Sequence, residues 1–285
     1  MLSVLRFVTT RVRIRGLNRL LVLLFGENGI LRKSGDYHRI VPYDDDILVD
    51  CSLRSHIDWY IYFFGAYRPE RVAMIKLLSR PGMVAFDIGA NIGSFSLLIA
   101  KYANPGSRVI ALEPNPGQFA KLMRNLELNP SLSKSVQPLA IAVGASSGYA
   151  TLHIPSAAKF NQGNSSLISI PEEGFDKIEV EVIAIDDYMK RNEIGRLDLI
   201  KLDAQGMELA VVEGAIGTIR NYRPAILMDN SLDHDGEEFW KLRGRLLEFG
   251  YSLYVATTDG PKMISENAIC PRGEIAFLHG NATAL

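Results

Sequence analysis

The sequence predicts an α/β domain built on a mostly parallel, doubly wound sheet with helices on both faces. Three observations carry that prediction. Apolar strand-like runs alternate with segments of helical periodicity from about residue 70 onward, as expected when helices form the crossovers of a parallel sheet. Met83-Val84-Ala85-Phe86 leads through Asp87-Ile88-Gly89-Ala90-Asn91-Ile92-Gly93 into a helical run at 95–100. That succession of buried strand, glycine-rich turn and helix is the start of a Rossmann-like nucleotide site. A second apolar strand, Arg108–Leu112, then ends at Glu113, where a carboxylate can accept hydrogen bonds from both hydroxyls of a ribose.

The remaining elements follow in chain order. Residues 37–50 predict a β-hairpin around Pro42-Tyr43-Asp44-Asp45-Asp46, and the aromatic stretch 59–64 precedes a helix from Pro69 through Leu78 that Gly82 terminates. Pro116 opens a helix to about Leu128, and 136–143 predicts a third strand. Residues 149–154 and 178–183 alternate with the period of two of half-buried strands, with a polar loop at 156–171 between them. Residues 197–202 form a near-continuous apolar strand before a helix from about Met207, and 225–228 predict another strand. Phe239, Leu242, Leu246 and Phe249 fall at helical spacing, and strands at 251–255 and 274–278 finish the sheet. The division expected is an N-terminal helix and hairpin extension over 1–65 and the main domain over 66–285.

The chain has 285 residues, 47% hydrophobic and 22% charged, with a net charge of −1. That length buries a substantial core, and the charge balance supplies no global field for nucleic acid. Cys51 and Cys270 lie far apart and form no redox or metal motif, which suits a reducing compartment and makes cytoplasm the default location. Arg6, Arg11, Arg13, Arg15 and Arg19 all precede the first acidic residue, and the apolar run 20–25 follows them. That run is too short to span a membrane and makes a poor signal peptide. The two readings are a docking helix with its arginines in solvent and peripheral membrane attachment.

In a doubly wound sheet, ligands bind beyond the carboxyl ends of the strands, so the polar residues to weigh are Asp87, Glu113, Asp203 and the Asp229-Asn230 pair. Gly89 is expected to let the backbone pass close beneath a ligand, and Gly93 to let the helix start pack tightly on the sheet. Asp87 beside the turn would repel a pyrophosphate and suits a ligand carrying ammonium and sulfonium groups. The spacing G-x-x-x-G also differs from the G-x-G-x-x-G of dinucleotide folds, which argues against an NAD-dependent oxidoreductase.

With these residues in view, the chain resembles class I S-adenosylmethionine-dependent methyltransferases, and within them the FkbM family. The matching pieces run in order from Tyr67-Arg68-Pro69-Glu70 through the 87–93 turn and Leu112-Glu113-Pro114-Asn115-Pro116 to Asn125-Leu126-Glu127-Leu128-Asn129. Leu139-Ala140-Ile141-Ala142-Val143-Gly144, Asn164-Ser165-Ser166-Leu167, the 200–208 segment, Gly214-Ala215 and Arg223-Pro224-Ala225-Ile226-Leu227 complete them. The resemblance implies cofactor contacts at Asp87, Gly89, Ala90, Asn91, Gly93, Glu113 and Pro114, with the strand end at Ala142 near the adenine. It implies O-methylation of a hydroxyl on a small or saccharide-like acceptor. The alternatives are a polyketide, lipid-linked or carboxylate acceptor, or a cofactor-binding module with impaired chemistry. The family usually has D-x-E-G where this chain has Asp203-Ala204-Gln205-Gly206, and Gln cannot take a proton as Glu can.

Methyl transfer asks for alignment and for a group to take the hydroxyl proton. Asp203 is the first candidate for base or acceptor ligand, and Glu208 the second. Their structural alternatives are a turn carboxylate capping a helix and a carboxylate favoured by a helix dipole. Asn164, Ser165 and Gln205 are candidate acceptor-binding residues, although the first two also suit a loop closed by local hydrogen bonds. Asp203 with Asp229 and Asn230 is a candidate Mg²⁺ site of oxygen ligands. His56, His153 and His234 fall near the expected site but without metal-ligand spacing.

Overall fold

The computed structural model describes Arg6, Thr9 and residues 38–52, 55–155, 165–167, 174–230, 236–265, 268, 270 and 272–280. Phe86, Asp87 and Ile88 of β3 (Val84–Ile88) are all buried, as are Ile200, Lys201 and Leu202 of β9 (Leu199–Leu202). Strands covered on both faces read as nearly continuous apolar runs, which is why these segments were legible. The main sheet has eight strands. Along one direction from β3 lie β4 (Arg108–Leu112) and β5 (Val136–Leu139), and along the other lie β9 and β10 (Ala225–Asp229), all parallel. Beyond β10 come β13 (Glu274–His279), antiparallel to it, then β11 (Tyr251–Val255) and β12 (Lys262–Met263).

Alternate side chains feed two cores. Ala85, Val109, Ala111, Leu199, Leu227 and Ala276 join one cluster, whereas Phe86, Ile110, Ile200, Ile226 and Phe277 join the other. The first core is covered by α1 (His56–Phe64), α2 (Pro69–Leu78), α3 (Ser94–Ala103), α4 (Pro116–Leu128) and the short α5 (Pro130–Ser133). The second is covered by α6 (Ile185–Arg191), α7 (Glu208–Glu213), α8 (Ile216–Tyr222) and α9 (Glu237–Glu248). The predicted doubly wound α/β fold is therefore the one observed.

The hairpin β1 (His38–Tyr43) and β2 (Ile47–Ser52) pairs as expected and packs Val41, Tyr43, Ile47, Val49 and Cys51 into the first core. Two asparagines of α4 and its C-cap hold it there: Asn125 Oδ1 accepts from Asp50 N–H, while Asn129 bonds both Leu48 N–H and Leu48 C=O. Two strand expectations are corrected. The predicted strand over 136–143 is divided, because the chain leaves the sheet edge after Leu139 and β6 (Ala142–Val143) pairs elsewhere. It joins β7 (Gly148–Pro155) and β8 (Phe175–Ile183) in a separate three-stranded sheet, order β6-β8-β7. No helix among the described residues is long and apolar enough to cross a membrane.

Candidate active site

The order β5-β4-β3-β9-β10 reverses between β3 and β9, and the crevice at such a switch point is where α/β sheets bind ligands. A cleft enclosing about 980 Å³, counting the space at its open mouth, lies there. Its lining comes from the Gly89–Asn91 turn, Glu113 and Pro114 after β4, the residues after β9, and the first turns of α1 and α3. Ile141, Ala142, Val143 and Leu152 form an apolar wall at one end. His56, Tyr67, Asp203 and Gln205 also line the cleft.

Glu113 organises the turn. Its Oε2 accepts Asn91 N–H at 2.8 Å and its Oε1 accepts Asn115 N–H at 2.9 Å, which leaves each oxygen a lone pair for a hydroxyl donor. Burial pushes this carboxyl up to about 7, against the two N–H donors and Lys201, which pull it down. Gly89 N–H and Ala90 N–H both donate to Leu112 C=O, so β3 and β4 jointly set the turn. Asn115 caps α4 and extends its Nδ2 to Ser165 Oγ at 2.7 Å. Both loops flanking the switch point hold a non-glycine residue in the left-handed region, Asn91 (φ 52°) and Gln205 (φ 50°), a strained conformation that clusters at functional sites.

Beneath this turn lies a charge pair the sequence analysis missed. Asp87 and Lys201 are cross-strand neighbours on β3 and β9, 3.0 Å apart and essentially unexposed. Lys201 Nζ also donates to Ile88 C=O and Gly89 C=O, and Ser96 Oγ donates to Asp87 Oδ2 at 2.5 Å. A lysine inside the apolar run Leu-Ile-Lys-Leu was the available signal, since a buried lysine needs a partner. Asp87 itself is fully buried under the turn and does not line the cleft; its charge is met by Lys201. One of the two turn glycines departs from expectation. Gly89 lines the cleft, and a Cβ there would stand 2.0 Å from Asp203 C=O, so this glycine is also required by the close approach of the neighbouring loop. Gly93, at φ 79°, lies off the lining and faces Leu122 of α4 rather than the sheet.

Around Asp203 the charges are paired. Its Oδ2 lies 3.1 Å from Arg71 NH1, and Gln205 Nε2 donates to its Oδ1 at 2.9 Å. Burial would raise this carboxyl, but Lys201 and Arg71, with the hydrogen bonds, hold it below the ordinary carboxylate range. Such a carboxylate is a weak proton acceptor. Arg71 also pairs with Glu274, and Arg68 with Asp229 at 2.6 Å and Glu274 at 3.4 Å. The carboxylates proposed for Mg²⁺ thus face guanidinium groups, and no cluster of three acidic, His or Cys side chains suited to a metal occurs among the described residues. Glu208 is displaced from its expected role as well. It does not line the cleft, and its two oxygens accept Ala204 N–H and Gly206 N–H, closing the turn before α7. Ser165 and Gln205 do line the cleft, as do Gly89, Ala90, Asn91, Glu113, Pro114 and Ala142. Asn164 and His234 lie outside the described residues.

Topology and site together define a Rossmann-like α/β protein whose cleft carries a buried carboxylate, Glu113, at the switch point. A family model described as Methyltransferase FkbM domain matches residues 87–253, and the chain belongs to the FkbM methyltransferase family. It is 32% identical over 170 residues to methyltransferase sdnD of Sordaria araneosa, a match covering 49% of this chain and 62% of that protein. It is 32% identical over 161 residues to 31-O-demethyl-FK506 methyltransferase FkbM of Streptomyces tacrolimicus, covering 47% and 60%. To hexuronic acid methyltransferase AglP of Haloferax volcanii it is 28% identical over 138 residues, covering 48% and 52%. The matched segments therefore span between half and two thirds of each relative.

Proposed function

We propose that the chain is an S-adenosylmethionine-dependent O-methyltransferase for a hydroxyl on a small or saccharide-like acceptor. The observation that carries this reading is Glu113, a nearly buried carboxylate at the end of β4 with both oxygens facing the cleft turn. The donor set fits the methyl donor. Glu113 matches a ribose diol, and the wall of Ile141, Ala142, Val143 and Leu152 matches a purine. Two of the relatives bear names that specify a demethyl-FK506 and a hexuronic acid substrate, which supports a small or sugar-type acceptor.

When bound, the sulfonium supplies a methyl group for in-line displacement. The chain's own residues supply the rest. Glu113 and the 89–91 turn hold the nucleoside, and Lys201 fixes the turn carbonyls from below. Asp203, kept ionised by Arg71 and Lys201, accepts a hydrogen bond from the acceptor hydroxyl or from the methyl donor's ammonium. Gln205 keeps Asp203 oriented without adding a second negative charge. Calorimetric titration with S-adenosylmethionine tests the reading. Wild type is expected to bind, and Glu113→Ala to bind at least roughly tenfold more weakly, since a hydrogen bond to a charged group contributes about 1.5–3 kcal/mol. Binding of NADH in place of S-adenosylmethionine would overturn it.

A further inference from the structure

An aliphatic hydroxyl must lose its proton as its oxygen takes a methyl group. Asp203 lines the cleft, but Lys201 and Arg71 hold it too weakly basic to take that proton, and Glu208 lies off the lining. Among the described residues, the titratable side chains lining the cleft are His56, Tyr67, Glu113, Lys201 and Asp203. Glu113 is engaged by two N–H donors beside the apolar end. Lys201 donates to turn carbonyls, and Asp203 is held by Arg71 and Gln205. Tyr67 lies against Arg68, with its phenol pushed up by burial.

We propose that His56 is the general base of the transfer, an assignment that rests on the methyltransferase reading above. His56 opens α1 on the cleft wall. Its ring is braced by Tyr60 at 4.9 Å and Tyr67 at 6.0 Å between centroids. The helix is anchored two residues on by buried Asp58, which accepts Ser52 N–H and faces Lys121. The groups facing the imidazole, among the described residues, are Tyr60 from the same helix, Tyr67 from the link to α2, and Arg68 at the start of α2. Burial first, then Arg68, lowers its pKa from 6.5, and the N-terminal end of α1 acts in the same direction. The imidazole is therefore neutral at physiological pH, the state a base needs.

In the step, a lone pair on the acceptor oxygen forms the new O–C bond while the S–C bonding pair leaves with sulfur. The hydroxyl proton passes to an imidazole nitrogen. The products are a methyl ether, a neutral thioether and an imidazolium, so the positive charge moves from sulfur to His56. The imidazolium then releases its proton to water at the cleft mouth.

The experiment compares wild type with His56→Gln and His56→Ala. It uses methyl β-D-glucoside as a hydroxyl probe and 1-thio-β-D-glucose as a probe whose thiol ionises without help. Both variants are expected to bind S-adenosylmethionine within about twofold of wild type by calorimetry. Transfer to the glucoside is expected to fall on the order of 10²-fold, with transfer to the thiol retained. By NMR, the wild-type His56 ring is expected to titrate below 6.5, at the acidic limb of the transfer rate. Its signals should also shift when the glucoside is added to protein loaded with S-adenosylhomocysteine. A ring that titrates at or above 6.5, ignores the glucoside, or is dispensable for transfer to it would overturn the base assignment alone. A wild type that fails to bind S-adenosylmethionine would overturn the cofactor reading and the assignment with it.

Discussion

At the scale of single residues, two buried charges decide how the site behaves. Glu113 carries a carboxyl raised from 4.5 to about 7. Below pH 4.5 it is protonated whether the chain is folded or not, and above 7 it is ionised in both states. Between those values the folded protein alone holds the proton, so its contribution to stability falls as pH rises through that window. The difference is about 3 kcal/mol. Urea unfolding at pH 4.5 and 7.5 should show this loss in the unliganded wild type relative to Glu113→Gln, whose own profile lacks it. Lys201 is the second case. Lys201→Met leaves Asp87 buried without its partner, a change that costs about 3–5 kcal/mol. Adding Asp87→Asn should recover a large part of that loss, and the coupling in a double-mutant cycle measures the pair. Independent, additive losses would show that the two residues do not act together.

At the scale of elements, the interesting joint is between α4 and the N-terminal hairpin. Helix α4 does two jobs with one row of amides. Asn115 at its start caps the helix and reaches the Ser165 segment, while Asn125 and Asn129 at its end close the open backbone edge of β2. An unpaired strand edge exposes backbone groups that must otherwise find water or another chain. Asn129→Ala removes both bonds to Leu48 and should cost about 1–3 kcal/mol, read as a lower urea midpoint at an unchanged m-value. An unchanged midpoint would mean that water replaces the amide fully.

For the whole molecule, the hairpin and α1 are part of the core. Val41, Tyr43, Ile47, Val49, Cys51, Trp59, Ile61, Tyr62 and Phe63 are all buried in the cluster on one face of the sheet. At roughly 1.5–3 kcal/mol for each large side chain, their loss exceeds the ~5–15 kcal/mol that separates folded from unfolded protein. We therefore expect a chain of residues 66–285 to lack a cooperative thermal transition by calorimetry. A cooperative transition near that of the full chain would support the 1–65 and 66–285 division as independent units. The same truncation removes His56, which ties the N-terminal region to the chemistry as well as to stability.

The sequence by itself determined the fold class, the glycine turn, the strand ends and the position of Glu113. Those features are local: a strand buried on both faces must be apolar along its length, and a tight turn before a helix needs glycine at set positions. What only the tertiary structure decided is which polar residues meet. Asp87 and Lys201 are over a hundred residues apart and become neighbours through the register of β3 on β9. Arg71, Asp203 and Glu274 converge from a helix, the loop after β9 and a strand. Glu208 satisfies its own turn while His56 enters the cleft from the hairpin side. Charge pairing is set by distance in space, and periodicity along the chain does not encode it.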